Sequence, residues 1–304
     1  MKRLLFALTA LATTKAGAQT QYGPLALQLP ASARSLAMAD IGIVSRDDDV
    51  IFYNPSQLAV ARGTSLSFDR LTPTARGGTM STVLRIGSGA FGVGLNYLEY
   101  RTQSIQAFPR SRDDLLPASN PNLLASSTLA TVGYAQSFGR YRVGIAANYA
   151  ADQVQFDRLP ALAADAGVSR DFGRFTTALS LQHLGVAENS EATAPVVGVN
   201  PPMKATLGGG WSGPAGPLDI AMTSAISGAR NEPHLSPAAG AEIGWSWLSG
   251  YSIAGRAGVR YPAAPGDAKF TTGFGATADR ISIDVAFEFL TNNHVGCRAG
   301  FRIR

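Results

Sequence analysis

From about residue 64 onward the chain alternates between apolar and polar positions. In "RISIDVAFEF" (280–289), Ile281, Ile283, Val285, Phe287 and Phe289 point one way, and Arg280, Ser282, Asp284, Ala286 and Glu288 the other. The same sorting recurs at 141–150, where Tyr141, Val143, Ile145, Ala147 and Tyr149 oppose Arg142, Gly144, Ala146, Asn148 and Ala150. At 252–261, Ile253, Gly255, Ala257, Val259 and Tyr261 oppose Arg256 and Arg260, and at 294–303 Val295, Cys297, Ala299, Phe301 and Ile303 oppose Arg298 and Arg302. A helix would scatter these residues around its axis, whereas a strand sorts them onto two faces. The pattern predicts roughly fourteen strands of bilayer-crossing length, near 64–70, 78–87, 90–106, 127–138, 140–157, 160–172, 174–184, 203–212, 217–226, 238–248, 250–260, 269–278, 280–290 and 294–303.

The connections separate the architectures that alternation alone leaves open. Gly87 to Gly89, Gly139-Arg140, Gly173-Arg174, Ser249-Gly250 and Asp279-Arg280 read as tight turns. Between them lie longer stretches at 107–126, 185–202 and 227–237. Short turns at one end and long loops at the other mark an outer-membrane barrel. A propeller would repeat about every 40 residues, and no such repeat is present. A soluble sandwich remains open strand by strand, because alternation does not say which face is wet. Low charge decides for the membrane: 15% of residues are charged, against about 25% in ordinary soluble domains. No stretch after residue 18 offers the ~20 apolar residues of a spanning helix, so a membrane form must be a closed barrel.

The N-terminus supplies an export signal. Lys2 and Arg3 precede an apolar run, Leu4 to Ala12, and Ala16-Gly17-Ala18 gives a cleavage pattern. The expected division is a signal peptide at 1–18, an inner N-terminal segment at 19–62 and a barrel at 63–304, located in the cell outer membrane after cleavage near Ala18. Loss of Lys2, Arg3 and Lys15 takes the formal net charge from +5 to +2, by 5 − 3. With no Lys/Arg run interleaved with aromatics, nucleic acid is not an expected partner; outer-membrane lipid is. The single cysteine, Cys297, excludes an intramolecular disulfide and a cysteine zinc site.

Candidate chemistry thins out on inspection. Gly87-Ser88-Gly89-Ala90-Phe91-Gly92 has the letters of a dinucleotide loop but is followed by a strand, not a helix, and reads as a hairpin. His183, His234 and His294 have no ligand spacing. Asp47-Asp48-Asp49 lacks the alternating acids of a calcium loop. No catalytic, cofactor or metal residue is identified, and no enzyme activity is expected. Arg256, Arg260, Asp284, Glu288 and Arg298 sit on polar strand faces and are expected to line the lumen, since a cation on the lipid face costs about 2–4 kcal/mol at mid-membrane.

Residues 19–60 do not alternate. Ser32 suits the cap of a short helix ended by Gly42; Asn54, Pro55 and Gln57 have the order of an N-cap, an N1 proline and a capping-box partner. The stretch "SARSLAMADIGIVSRDDDVIFYNPSQLA" (32–59) resembles the N-terminal signature of the PorV/PorQ family, relatives of the FadL long-chain fatty-acid transporters. The matching positions are Ala33, Arg34, Met38, Asp48, Tyr53, Asn54, Pro55, Leu58 and Ala59; Ala39-Asp40 depart from it, standing where the family usually carries glycine. A further departure is the C-terminal Phe301-Arg302-Ile303-Arg304 in place of a terminal aromatic.

The resemblance implies that 19–62 fold inside the barrel as a hatch. Fourteen strands enclose more than side chains alone fill, yet fewer than the ~16 of open porins, so a plug is physically reasonable. It further implies a component associated with type IX secretion, binding exported cargo proteins or secretion subunits at its extracellular loops. The alternative is a FadL-like channel for long-chain fatty acids or other small hydrophobic compounds. Leu115, Leu116, Leu123 and Leu124 are candidate loop contacts under either reading.

Overall fold

The structure is a computed structural model that describes residues 24–102, 123–154, 157–187, 201–230, 234–261, 269–290 and 295–304. The fourteen strands are β1 (Gly63–Thr72), β2 (Ala75–Ile86), β3 (Gly89–Thr102), β4 (Leu123–Phe138), β5 (Tyr141–Val154), β6 (Asp157–Phe172), β7 (Phe175–Ala187), β8 (Lys204–Ala215), β9 (Leu218–Ala229), β10 (Ser236–Leu248), β11 (Tyr251–Arg260), β12 (Phe270–Ala278), β13 (Ile281–Phe289) and β14 (Val295–Ile303). Each pairs antiparallel with its sequence neighbour, and β1 pairs with β14, so the sheet is a closed barrel without edges.

Alternation decides which side chains meet lipid. Phe68, Ile145, Leu207, Phe270 and Ile283 lie exposed on the outer face, while their neighbours Ser67, Ala146, Thr206, Thr271, Ser282 and Asp284 are buried inside. The apolar face turned outward and the polar face inward is the reverse of a soluble barrel and matches a bilayer as solvent. Trp245, Trp247 and Tyr251 form an outer aromatic cluster beside the β10–β11 turn, with ring centroids 5.5 and 6.4 Å apart; such belts mark the membrane interface.

The tight turns that the sequence predicts share one end of the barrel, opposite the short β1–β2 turn at 73–74. Gly139 and Gly250 adopt φ of +61° and +84° there, and the letters Gly87-Ser88-Gly89 form the β2–β3 hairpin. The wall shifts register between Arg70 and Thr72 of β1 and between Ser246 and Leu248 of β10, and again between β6 and β7 around Asp165, where Gln182 and His183 bulge. His183 takes φ +59°, its ring is buried, and its N–H donates to Asp165 Oδ1 at 2.7 Å.

Residues 24 to 61 occupy the lumen. They make a 3-10 turn at Leu25–Gln28, one α-helical turn α1 (Ala33–Ala37), and 3-10 turns at Asp48–Phe52 and Pro55–Ala59. Val50, Ile51, Leu58, Ala59 and Ala61 pack with Ala90 and Ala135 of the wall, each large apolar side chain contributing about 1.5–3 kcal/mol on burial. Ser32 caps α1 by accepting from the Ser35 N–H at 3.0 Å. Two local expectations are corrected. The helix ends at Ala37, well before Gly42, because Ala39 and Asp40 turn left-handed at φ +58° and +60°. That backbone favours glycine. The capping box at Asn54 does not close: Asn54 accepts from the Ser56 N–H at 3.1 Å, but the buried Gln57 amide makes no side-chain hydrogen bond among the described residues.

Candidate functional site

The three acids at 47–49 take different partners. Asp49 faces inward on its own segment, accepting from Ser32 Oγ at 2.6 Å, from Ser45 Oγ at 3.1 Å and from Ser35 Oγ. Asp48 Oδ2 accepts from Ser65 Oγ of β1 and Ser81 Oγ of β2, each at 2.5 Å. Burial, with the Asp49 charge alongside, pushes the Asp48 carboxyl up to about 6. Asp47 meets Arg34 and Arg302 at 2.6 Å each, and Arg304 at 2.8 Å. Burial works to raise its carboxyl, but Arg302, Arg34 and Arg304 together hold it well below the usual range.

Asp47 belongs to a closed ring of six charges. Arg34 joins it to Glu242 of β10; Glu242 pairs with Arg256 of β11; Arg256 donates to Asp284 of β13 at 2.6 Å; Asp284 accepts from Arg302 of β14 at 3.0 Å; and Arg302 returns to Asp47. Three guanidiniums and three carboxylates alternate, so each buried charge has two opposite neighbours, the condition under which burial is tolerated. The ring fastens the inner segment to one arc of the wall.

On the opposite arc the segment is held by fit. Asn54 Nδ2 donates to the Ile43 carbonyl at 2.9 Å, and Ser56 Oγ donates to Ser169 Oγ at 3.0 Å. A side chain at Gly144 would overlap the Pro55 backbone, and one at Gly167 would overlap Asn54 Oδ1. Tyr53 Oη donates to Asp40 Oδ1 at 2.5 Å and accepts from the Ala31 N–H at 2.8 Å, its ring lying over Gly42. Met38 lies against Gly240.

Among the cavities between segment and wall, two flank the stretch Ile41–Val44. One, about 120 Å³, opens towards the long-loop end, with Leu27, Leu29, Ile41, Ile43, Ala225 and Ala238 as its apolar part and Asp40, Tyr53, His183, Lys204 and Arg260 as its polar part. The other, about 140 Å³, lies towards the tight turns among Arg34, Met38, Ile41, Val44, Arg174 and Thr223. Ile41 lines both, so the stretch Ile41–Val44 is the partition between them.

Of the lumen-facing residues singled out in the sequence, Arg256 and Asp284 belong to the ring, and Arg260 stands at the upper cavity, 3.8 Å from Asp40. Arg298 is fully buried, pairing with Asp69 of β1 and donating to the Pro30 carbonyl. Glu288 is buried over Gly296. Arg34, Met38, Asp48, Tyr53, Asn54 and Pro55 all lie in the inner segment against the wall. Leu115 and Leu116 lie outside the described residues, as do residues 1–23 and His294. Leu123 and Leu124 are corrected from loop to strand: β4 begins at Leu123, and Leu124 is exposed on the outer face. The sequence pattern places Arg302 on a polar strand face but does not single out Glu242, Ile41 or Ile43. Glu242 carries a usable signal, being the one charge in the small and apolar run of β10.

No protein-family model matches the chain, and no curated protein matches it in sequence. Solved structures do. The toluene transporter TodX of Pseudomonas putida aligns over 90% of this chain and 97% of its own, at TM-score 0.59 and 11% identity. The fold is shared with hydrocarbon channels. The monoaromatic hydrocarbon channel CymD aligns at TM-score 0.58 and 11% identity, over 90% of this chain and 96% of its own. The toluene transporter TbuX of Ralstonia pickettii aligns at TM-score 0.52 and 12% identity, over 90% and 98%. These neighbours are transport barrels, not enzymes.

Proposed function

We propose that the protein is an outer-membrane channel of the FadL-like kind that admits small hydrophobic compounds past a lumenal hatch. Residues 19–62 form the hatch, following removal of residues 1–18. The observation that carries this reading is the pair of small cavities divided by Ile41–Val44: displacing that one stretch joins them into a path along β8–β10. The solved neighbours bearing the fold are toluene and monoaromatic hydrocarbon channels, which supports the same reading.

Size narrows the substrate. A closed cavity of about 150 Å³ lined by apolar groups takes one benzene; the upper cavity here is about 120 Å³ and open, its apolar part facing Asp40, His183, Lys204 and Arg260. A single-ring or similarly compact molecule fits with small adjustment, whereas an extended fatty acyl chain does not. The function is therefore passage of compact apolar molecules, by binding and release, with the ring of charges as the fixed side of the hatch.

The test is uptake of radiolabelled toluene and of a long-chain fatty acid into proteoliposomes containing the purified barrel. Entry of toluene well above protein-free vesicles, with little gain for the fatty acid, is expected. Absence of toluene entry would return the assignment to the PorV/PorQ reading, a secretion-associated barrel binding cargo at its outer loops; that reading rests on the 32–59 motif.

A further inference from the structure

The pairing of β1 with β14 is the one junction in the barrel that the chain cannot form by a hairpin. It joins the two ends of the barrel sequence, so its closure carries the largest loop entropy, and non-local ladders of this kind form slowly. It is also short: seven paired positions, Thr64 with Ile303 through Arg70 with Cys297, against fourteen between β3 and β4. The weakest expected junction is where the inner segment places its most polar contacts.

Asp47 and Asp48 are adjacent in the chain and hold opposite sides of this seam. Asp47 takes Arg302 of β14 and Arg304 just beyond it. Asp48 takes Ser65 of β1 and Ser81 of β2. Higher in the lumen, Arg298 of β14 crosses the seam to Asp69 of β1 and is fixed there by the Pro30 carbonyl of the inner segment. Charge-assisted hydrogen bonds are about twice as strong as neutral ones, and all of these but the Arg304 contact are buried.

We infer that the inner segment has a second role, as the staple that closes the barrel: Asp47 and Asp48 template the β1–β14 junction and keep it shut. This role is independent of what passes through the lumen. The ring of charges fixes the segment to β10, β11, β13 and β14, and the acid pair then presents one carboxylate to each side of the gap. Asp49, bonded only within the segment among the described contacts, sets the spacing of the other two.

Heat-modifiable gel migration of the full-length barrel tests it. Asp47→Ala with Asp48→Ala should lower the temperature at which the compact form is lost, and the milder Ser65→Ala with Ser81→Ala should lower it less. The seam offers its own control, because Arg70 is the register partner of the native Cys297 and both face outward. Antiparallel partners lie about 4.5–5.5 Å apart at Cα, within the range of about 4.4–6.8 Å that a disulfide spans. Adding Arg70→Cys and oxidising should therefore restore the melting of both variants. A disulfide at the paired Val143 and Val168, made by Val143→Cys with Val168→Cys in a Cys297→Ser background, should not. Wild-type melting of both variants, or equal rescue by both disulfides or by neither, would overturn the proposal.

Discussion

The Arg34 guanidinium meets the Glu242 carboxylate through two hydrogen bonds, Nε to Oε2 at 3.0 Å and Nη2 to Oε1 at 2.9 Å. This fork joins the inner segment to the middle of β10 and is the point where the six-charge ring leaves the segment. Paired geometry of this sort is specific to arginine. Arg34→Lys should therefore fail to substitute for Arg34.

Removing one member of a buried pair strands the other, at about 3–5 kcal/mol; Arg34 is partly solvated, with side-chain exposure of 26%, which places Arg34→Ala at or below the low end. Arg34→Ala should leave the strands intact by circular dichroism while raising single-channel conductance in planar bilayers. Glu242→Gln, which keeps the shape and loses the charge, should raise it less. Unchanged conductance in both would show that the ring does not hold the segment.

Asn54 makes a different kind of hold, capping the turn at Pro55–Ala59 and carrying the Ile43 carbonyl. Asn54→Ala loses the cap, about 1 kcal/mol, and leaves a buried carbonyl unsatisfied, about 1–3 kcal/mol. Gly144→Ala attacks the same contact from the wall by pressing on the Pro55 backbone. Both should speed limited proteolysis of the inner segment from the tight-turn side without altering barrel migration on gels. Equal protease resistance of wild type and variants would count against the packing described.

The Asp48 carboxyl predicts a pH dependence. Burial and the Asp49 charge raise it from the ordinary 3.8 to about 6, so the folded state binds this proton more tightly than the unfolded chain. Its contribution to stability is complete below the unfolded value and is lost as pH rises through about 6. Heat resistance of the wild type should fall between pH 4 and pH 7, and Asp48→Asn should flatten that fall. The same fall in wild type and in Asp48→Asn over that window would contradict the burial assigned to this group.

The strands were legible in the sequence because lipid and lumen impose opposite polarity on consecutive residues. Ile281, Ile283 and Phe301 could be assigned to a face with no knowledge of their partners. Strand ends were less legible. The β1–β2 hairpin turns at Pro73-Thr74, inside a stretch whose alternation is too weak to extend either strand, and β4 starts at Leu123, several residues before its alternation becomes regular. Within the inner segment, Asn54 and Pro55 announced a helix start through local chemistry, whereas Ala39 and Asp40 gave no sign of left-handed backbone, which glycine would have given. The charge ring was hidden for another reason. Arg34 and Glu242 are 208 residues apart, and only the placement of the inner segment in the lumen brings Arg34 and Asp47 to the arc formed by β10, β11, β13 and β14.

Passage through the barrel requires movement of Ile41–Val44, and a reversible lock measures it. A Cβ added at Gly210 lies 2.9 Å from Val44 Cγ2, so Val44→Cys with Gly210→Cys, in a Cys297→Ser background, can tie the partition to β8. Toluene uptake into proteoliposomes should be lost on oxidation and recover on reduction, with the barrel unchanged on gels. Uptake that is the same in the oxidised and reduced states would contradict passage past this segment.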